Sequence, residues 1–203
     1  MKRPAAFVSL IVVVVTLHGG AHGWDAPSFC RGFECPEYTV VFQNDDFEER
    51  AYNASRWMTI DIASDSESDL KSGFTSLWHY TQGDNQARET LNTRTWPALI
   101  STTGPMNGGQ GSVSVSFLAA ANNAILPTPN EPIRAETQPA STIYVRSFSD
   151  NPSIFVVQTN LNMLRNSLAL AGRTFNFNRF SVAAYESPWS LIGRHDEIWI
   201  YAV

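Results

Sequence analysis

The chain has 203 residues, with 14 basic against 19 acidic side chains and a formal net charge of -5. Phosphate binding needs a dense basic face that this balance does not supply, so nucleic acid and an acidic membrane surface are excluded as partners. The length favours one domain whose core is large enough to fold without a structural metal or many disulfides.

Lys2 and Arg3 precede an apolar run over residues 5–17, and small residues follow it as far as Gly23. This is the layout of a secretory signal peptide, which predicts cleavage after Gly23, a signal peptide of residues 1–23 and a single mature domain of residues 24–203. The run is shorter than the ~20 apolar residues of a membrane-spanning helix, and no later segment is continuously apolar. The expected product is secreted and extracellular, with no membrane span. Loss of the leader leaves 12 basic residues against 19 acidic ones, with Lys71 the single lysine.

Cys30 and Cys35 lie just past that cleavage point, and an oxidising compartment makes a bridge between them the expectation. So short a loop contributes about 2 kcal/mol by closure entropy, enough to pin the entry to the domain and not to hold it together. A zinc site would need two further soft ligands at suitable spacing, which the sequence lacks. Asn53-Ala54-Ser55 is a sequon, so Asn53 is a candidate glycan site on an exposed turn.

Tyr38, Val40 and Phe42 share one face at period two, as do Met58, Ile60 and Ile62, which predicts two strands. Leu70, Phe74, Leu77 and Trp78 then recur at helical spacing behind a Ser- and Asp-rich stretch that caps a helix, predicted over residues 67–80. Residues 81–95 read as loop. Residues 98–102 and 112–118 read as a hairpin across a glycine-rich turn, with Val113, Val115 and Phe117 inward and the intervening serines outward. Short strands near residues 133–136 and 142–148 flank a turn among the prolines. Ile154, Val157, Leu161, Leu164 and Leu168 predict a second helix, with Gly172 at its left-handed cap. Strands near 180–185 and 197–202 close the chain, the last apolar on both faces and hence central.

Each half thus reads strand, strand, helix, strand, strand. The predicted class is α+β, with the duplicated units forming an antiparallel, barrel-like sheet of about eight strands and both helices packed outside it.

Catalytic motifs are missing. There is no G-x-S-x-G, P-loop, H-E-x-x-H or C-x-x-C, and Asp196 and Glu197 are adjacent at a strand start and point to opposite faces, a poor acid and base pair. Beyond the leader only His79 and His195 remain as imidazoles. On a helical wheel His79 faces away from the apolar stripe, while His195 stands between Arg194 and Asp196, where a carboxylate would hold its ring. Trp78, Tyr80, Tyr185 and Trp189 could form a flat aromatic platform for a planar ligand, or serve as core.

The run over residues 185–200, YESPWSLIGRHDEIWI, resembles the closing motif of the SOUL haem-binding protein family. Four further segments match that family in order: 34–38 followed by 49–52, 74–85, 95–100 around Pro97, and 142–148. The resemblance implies a monomeric, non-covalent carrier or buffer of haem, porphyrin or a related tetrapyrrole, without catalysis. Its site would lie on a shallow apolar surface beside the first helix and the loop before the last strand. Trp78, His79, Tyr80, Tyr185, Trp189 and Arg194 are the corresponding candidates, with His79 a possible axial ligand. Relatives carry lysines where this chain has His79 and Ser190, so pairing with haem propionates falls to Arg194. The alternative on the same fold is an extracellular interaction module with no small ligand.

Overall fold

A computed structural model describes residues 24–91, 94–104, 111–120, 126–186 and 194–203. Its elements are β1 (Tyr38–Gln43), β2 (Glu48–Tyr52), β3 (Ser55–Ile62), α1 (Glu67–Thr81), β4 (Ala98–Thr103), β5 (Ser112–Leu118), β6 (Arg134–Gln138), β7 (Ser141–Phe148), α2 (Ile154–Leu170), β8 (Phe175–Ala184) and β9 (Asp196–Ala202). The strands form one barrel-like antiparallel sheet in the order β1-β2-β7-β9-β8-β4-β5-β3-β6, open between β1 and β6.

The duplication is visible in this order. β3, β5 and β4 form one trio and β7, β9 and β8 the other, joined where β4 pairs with β8. The first strand of each half crosses to the opposite trio, β2 onto β7 and β6 onto β3. The strand equivalent to β6 is therefore β2, and β1 is an addition at the edge, which raises the count from about eight to nine. β2 reads Glu-Glu-Arg-Ala-Tyr, and its charge hid its period-two pattern.

Both faces of the central strands are buried. Outside, α1 rests on β3 and β5, and α2 on β7 and β9. α1 begins at Ser66, whose hydroxyl accepts from Asp69 N at 3.3 Å, and α2 at Ser153, which caps Val156 N at the same distance. Each cap satisfies one orphan donor of the first turn. α1 approaches the sheet closely through Gly73, where a Cβ would stand 2.9 Å from Ile62 Cγ2. α2 ends as expected at Gly172, whose φ of 66° suits glycine. The buried stripe of α1 is Gly73, Leu77, Tyr80 and Thr81 with Leu70 and Phe74 packed alongside, so Trp78 falls off it and is 55% exposed. On β1, Tyr38, Val40 and Phe42 do not keep one face: a register shift between Val40 and Phe42 leaves Tyr38 against the inner cluster and Phe42 against Phe47 of the outer one, with Val40 and Phe42 exposed.

The opposite, inner face of the sheet is partly polar. Ser116, expected outward to solvent, is buried there and pairs with Thr59 at 2.8 Å, while Ser181 bridges Ser101 and Tyr201 at 2.8 and 2.9 Å. Beside these polar groups the same face carries an apolar cluster that includes Trp57, Leu99, Leu118, Ile143, Val145, Ala183 and Trp199.

Candidate functional site

Among the inner-face residues one carboxylate gathers most of the polar contacts. Alternation along β9 turns Glu197, Trp199 and Tyr201 inward, and alternation along β2 turns Arg50 and Tyr52 towards them. Glu197 accepts five hydrogen bonds: Arg50 Nη2 at 2.9 Å and His195 Nε2 at 2.9 Å on Oε1, then Arg50 Nη1 at 3.2 Å, Tyr185 OH at 3.0 Å and Trp199 Nε1 at 2.7 Å on Oε2. Arg50 also donates to Tyr52 OH at 3.1 Å and to Glu48 at 2.6 Å, and its guanidinium lies 4.3 Å from the Tyr38 ring centroid.

Burial would raise the Glu197 carboxyl, but Arg50 and the donors from His195 and Trp199 outweigh it and hold the group at about 2. The same burial pushes Tyr38 up to about 12 and Tyr52 and Tyr185 well above the ordinary phenol range. The core is thus an ionised pair ringed by neutral phenols. A buried pair this fully hydrogen-bonded is costly to break and contributes little beyond what apolar packing would.

The bridge between Cys30 and Cys35 is formed and both sulfurs are buried. It fixes a single 3-10 turn over Ser28–Cys30 that carries Phe29 onto the core. The Phe29 ring stacks on His195 with centroids 4.0 Å apart and planes within 7°, and meets the Tyr185 ring edge-on at 4.8 Å. Arg31 of the same loop pairs with Glu186, and Trp24 donates to Tyr38 O at 3.0 Å. The loop therefore covers the Glu197 end of the inner face.

Of the four aromatic residues weighed as a platform or as core, the three described ones do not share a surface. Trp78 and His79 lie on the exposed side of α1, and His79 has no ring hydrogen bond among the described residues. Tyr80 points inward and donates to Pro127 O at 2.7 Å. Tyr185 is on the other side of the sheet, spent on Glu197. Trp189 lies outside the described residues. Arg194 is buried and donates from Nε to Asp196 at 3.0 Å and from Nη2 at 3.4 Å. Burial raises the Asp196 carboxyl and Arg194 counters it. Asn53 sits exposed between β2 and β3 and donates to Glu37 Oε2 at 3.1 Å.

Sequence reasoning missed Arg50 and the central part played by Glu197. The available signal was a charged residue alternating with Tyr52 in a strand, since a charge turned into an apolar core requires a partner.

Fold and core together define an α+β domain of two equivalent halves around an ion-paired inner face. The SOUL heme-binding protein model matches residues 33–201, and the chain belongs to that family. It is 28% identical over 161 residues to Heme-binding protein 2 of Mus musculus, covering 78% of each chain. With Heme-binding protein 2 of Homo sapiens it shares 27% over 174 residues, 83% of each. Among solved structures, the EcmrR C-terminal domain aligns with a TM-score of 0.56 at 11% identity, over 82% of this chain and 98% of that one. A hydrolase from Listeria innocua aligns at 0.55 and 7%, over 80% and 93%. At such identities these two likenesses concern the fold alone.

Proposed function

We propose that this protein is a secreted, single-domain carrier that binds haem or a related tetrapyrrole reversibly and performs no catalysis. The observation that carries this reading is membership of a haem-binding family along nearly all of the mature chain. Cleavage of residues 1–23, export, and a glycan on Asn53 belong to the same proposal, and the bridged cysteines accord with an oxidising compartment.

The donor set fits a porphyrin that brings its own iron. Among the described residues no group of three or more His, Cys, Asp and Glu could hold a bare metal ion. A haem needs from the protein apolar contact and one or two axial donors, and among the described residues the exposed imidazole of His79, beside the exposed Trp78, is the accessible one. The thiols are bridged and therefore not ligands. When bound, haem would supply a reversible iron centre, while the chain supplies contact surface and a donor nitrogen.

Titration of the mature protein with haemin is expected to shift the porphyrin absorption band and to saturate near one equivalent. A flat difference spectrum would remove the carrier reading. It would favour the second one, an interaction module, for which the exposed Phe155, Leu170 and Phe177 on and beside α2 speak.

A further inference from the structure

The two helices differ in what they turn to solvent. The outer side of α1 carries Glu67, Lys71 and His79, whereas α2 has a single charged side chain, Arg165, and that one is buried with its Nη2 donating to Phe177 O at 2.7 Å. Phe155, Thr159, Asn162, Asn166 and Leu170 recur at i, i+4, i+7, i+11 and i+15, so they form one exposed row along the helix, with Met163 on its flank. The two ends of the row are apolar, Phe155 at 74% and Leu170 at 91% exposure, and its middle is hydroxyl and amide. The exposed Phe177 of β8 lies alongside, its ring centroid 4.3 Å from the Arg165 guanidinium carbon. An uncharged face with this much exposed apolar surface marks an interaction site.

The row reads the same from both ends, apolar, polar, apolar, which fits a second copy of itself. A two-fold axis beside Asn162 and Met163 sets two α2 helices antiparallel, and brings Phe155 of one copy to Leu170 of the other and Thr159 to Asn166. Charge agrees with this pairing. The chain past the leader carries 19 acidic against 12 basic residues, so two copies repel as they approach, and the α2 row is a face on which neither presents a charge. At each end the antiparallel pair sets Asp150, exposed just before the Ser153 cap, near Arg173 of the other copy, which follows Gly172 and stays 36% exposed in its own pair with Glu49. A lipid surface fits less well, because the amides and the hydroxyl in the middle of the row would lose water there without gaining partners. We infer that α2 is the contact helix of a reversible homodimer, two copies packed antiparallel along the row from Phe155 to Leu170. This sets a dimer where the family resemblance implies a monomer, and it stands independently of the haem reading. A row of about 22 Å is shorter than a standard interface, so the dimer dissociates in about the micromolar range.

The test is sedimentation of the mature chain, without haemin, from about 1 μM to about 1 mM. A concentration-dependent shift from monomer to dimer is expected, and a monomer at every concentration overturns the inference. Phe155→Lys alone or Leu170→Glu alone sets a charge against an apolar side chain of the other copy, and should weaken the dimer at least about tenfold. Both side chains are too exposed for the fold to need them, which circular dichroism checks. The double variant Phe155→Lys/Leu170→Glu sets an ammonium beside a carboxylate at both ends of an antiparallel pair, and should recover most of that loss. A dimer indifferent to the single changes overturns the assignment to α2, and a double variant no tighter than the singles overturns the antiparallel register. Binding of phosphatidylcholine vesicles by a chain that stays monomeric would overturn self-pairing and give the face to lipid. With no haemin present, none of these outcomes bears on the haem reading, whose own titration can fail with the dimer intact.

Discussion

His195 and His79 stand in opposite surroundings, the first at the rim of an ion-paired core beneath a disulfide loop, the second on the open face of a helix. At the rim, five hydrogen bonds converge on one carboxylate and fix the orientation of every ring that touches it. On the α1 face, Trp78 and His79 project from an element whose stability depends on its other side, Leu77, Tyr80 and Gly73. The difference teaches that residue type alone does not mark a functional group. What separates the two imidazoles is that Glu197 and Phe29 orient the first, while no ring hydrogen bond among the described residues orients the second.

The hardest way to strain this comparison is to remove Arg50, whose side chain is 1% exposed and whose partner Glu197 is fully buried. Arg50→Met leaves an ionised carboxylate with no cation beside it. A loss of about 3–5 kcal/mol is expected from urea unfolding, because breaking a buried pair strands the remaining charge. A loss under about 1 kcal/mol would mean that water already reaches the pair. The rim would then be no more organised than the helix face.

Both helices and most strands were legible in the sequence because their apolar residues keep clean periods of 3.6 or two. β2 was not, since Glu48, Glu49 and Arg50 carry charge and their pairing with Glu197 and Arg173 spans the whole chain. The two-sided burial of β9 was legible from its apolar run, and the polar inner face was not. Ser116 reads as a solvent-facing serine until β3 pairs with β5, which sets Thr59 directly opposite it on the buried inner face. The candidate site fared similarly: single residues were visible, and their convergence was not. Tyr80 and Tyr185 could be read as one platform or as caps on the core, and the sheet lies between them, a long-range fact that no local pattern encodes.

Acid should act on the rim next most strongly. The Glu197 carboxyl is held at about 2 against an ordinary 4.5, so its folded pKa is depressed. A depressed carboxylate contributes stability that is present above the unfolded value and disappears as pH falls from 4.5 through 2, on the order of 3 kcal/mol. Asp196 has the opposite sign: burial raises it, so the folded state takes up its proton more readily and recovers part of that loss. Urea midpoints should therefore fall below about pH 5 in the wild type and change less in Arg50→Met, where the guanidinium that does most to hold the carboxyl down is gone. Equal acid slopes in the two proteins would detach the Glu197 shift from Arg50.

The smallest effects belong to the α1 face. Trp78→Ala and His79→Ala each remove a side chain that stands off the buried stripe, and unfolding free energies should stay within about 0.5 kcal/mol of wild type. Such stability makes the two variants clean probes of binding. If Trp78→Ala weakened haemin binding while leaving stability alone, the flat indole would be ligand surface despite its distance from any organised donor, and the helix face would rejoin the site. If it instead cost more than about 2 kcal/mol, Trp78 would be packed against groups beyond α1, and the contrast between an organised rim and an open face would fail at its open end. Unchanged binding and unchanged stability together would confine ligand contact to surfaces other than the α1 face.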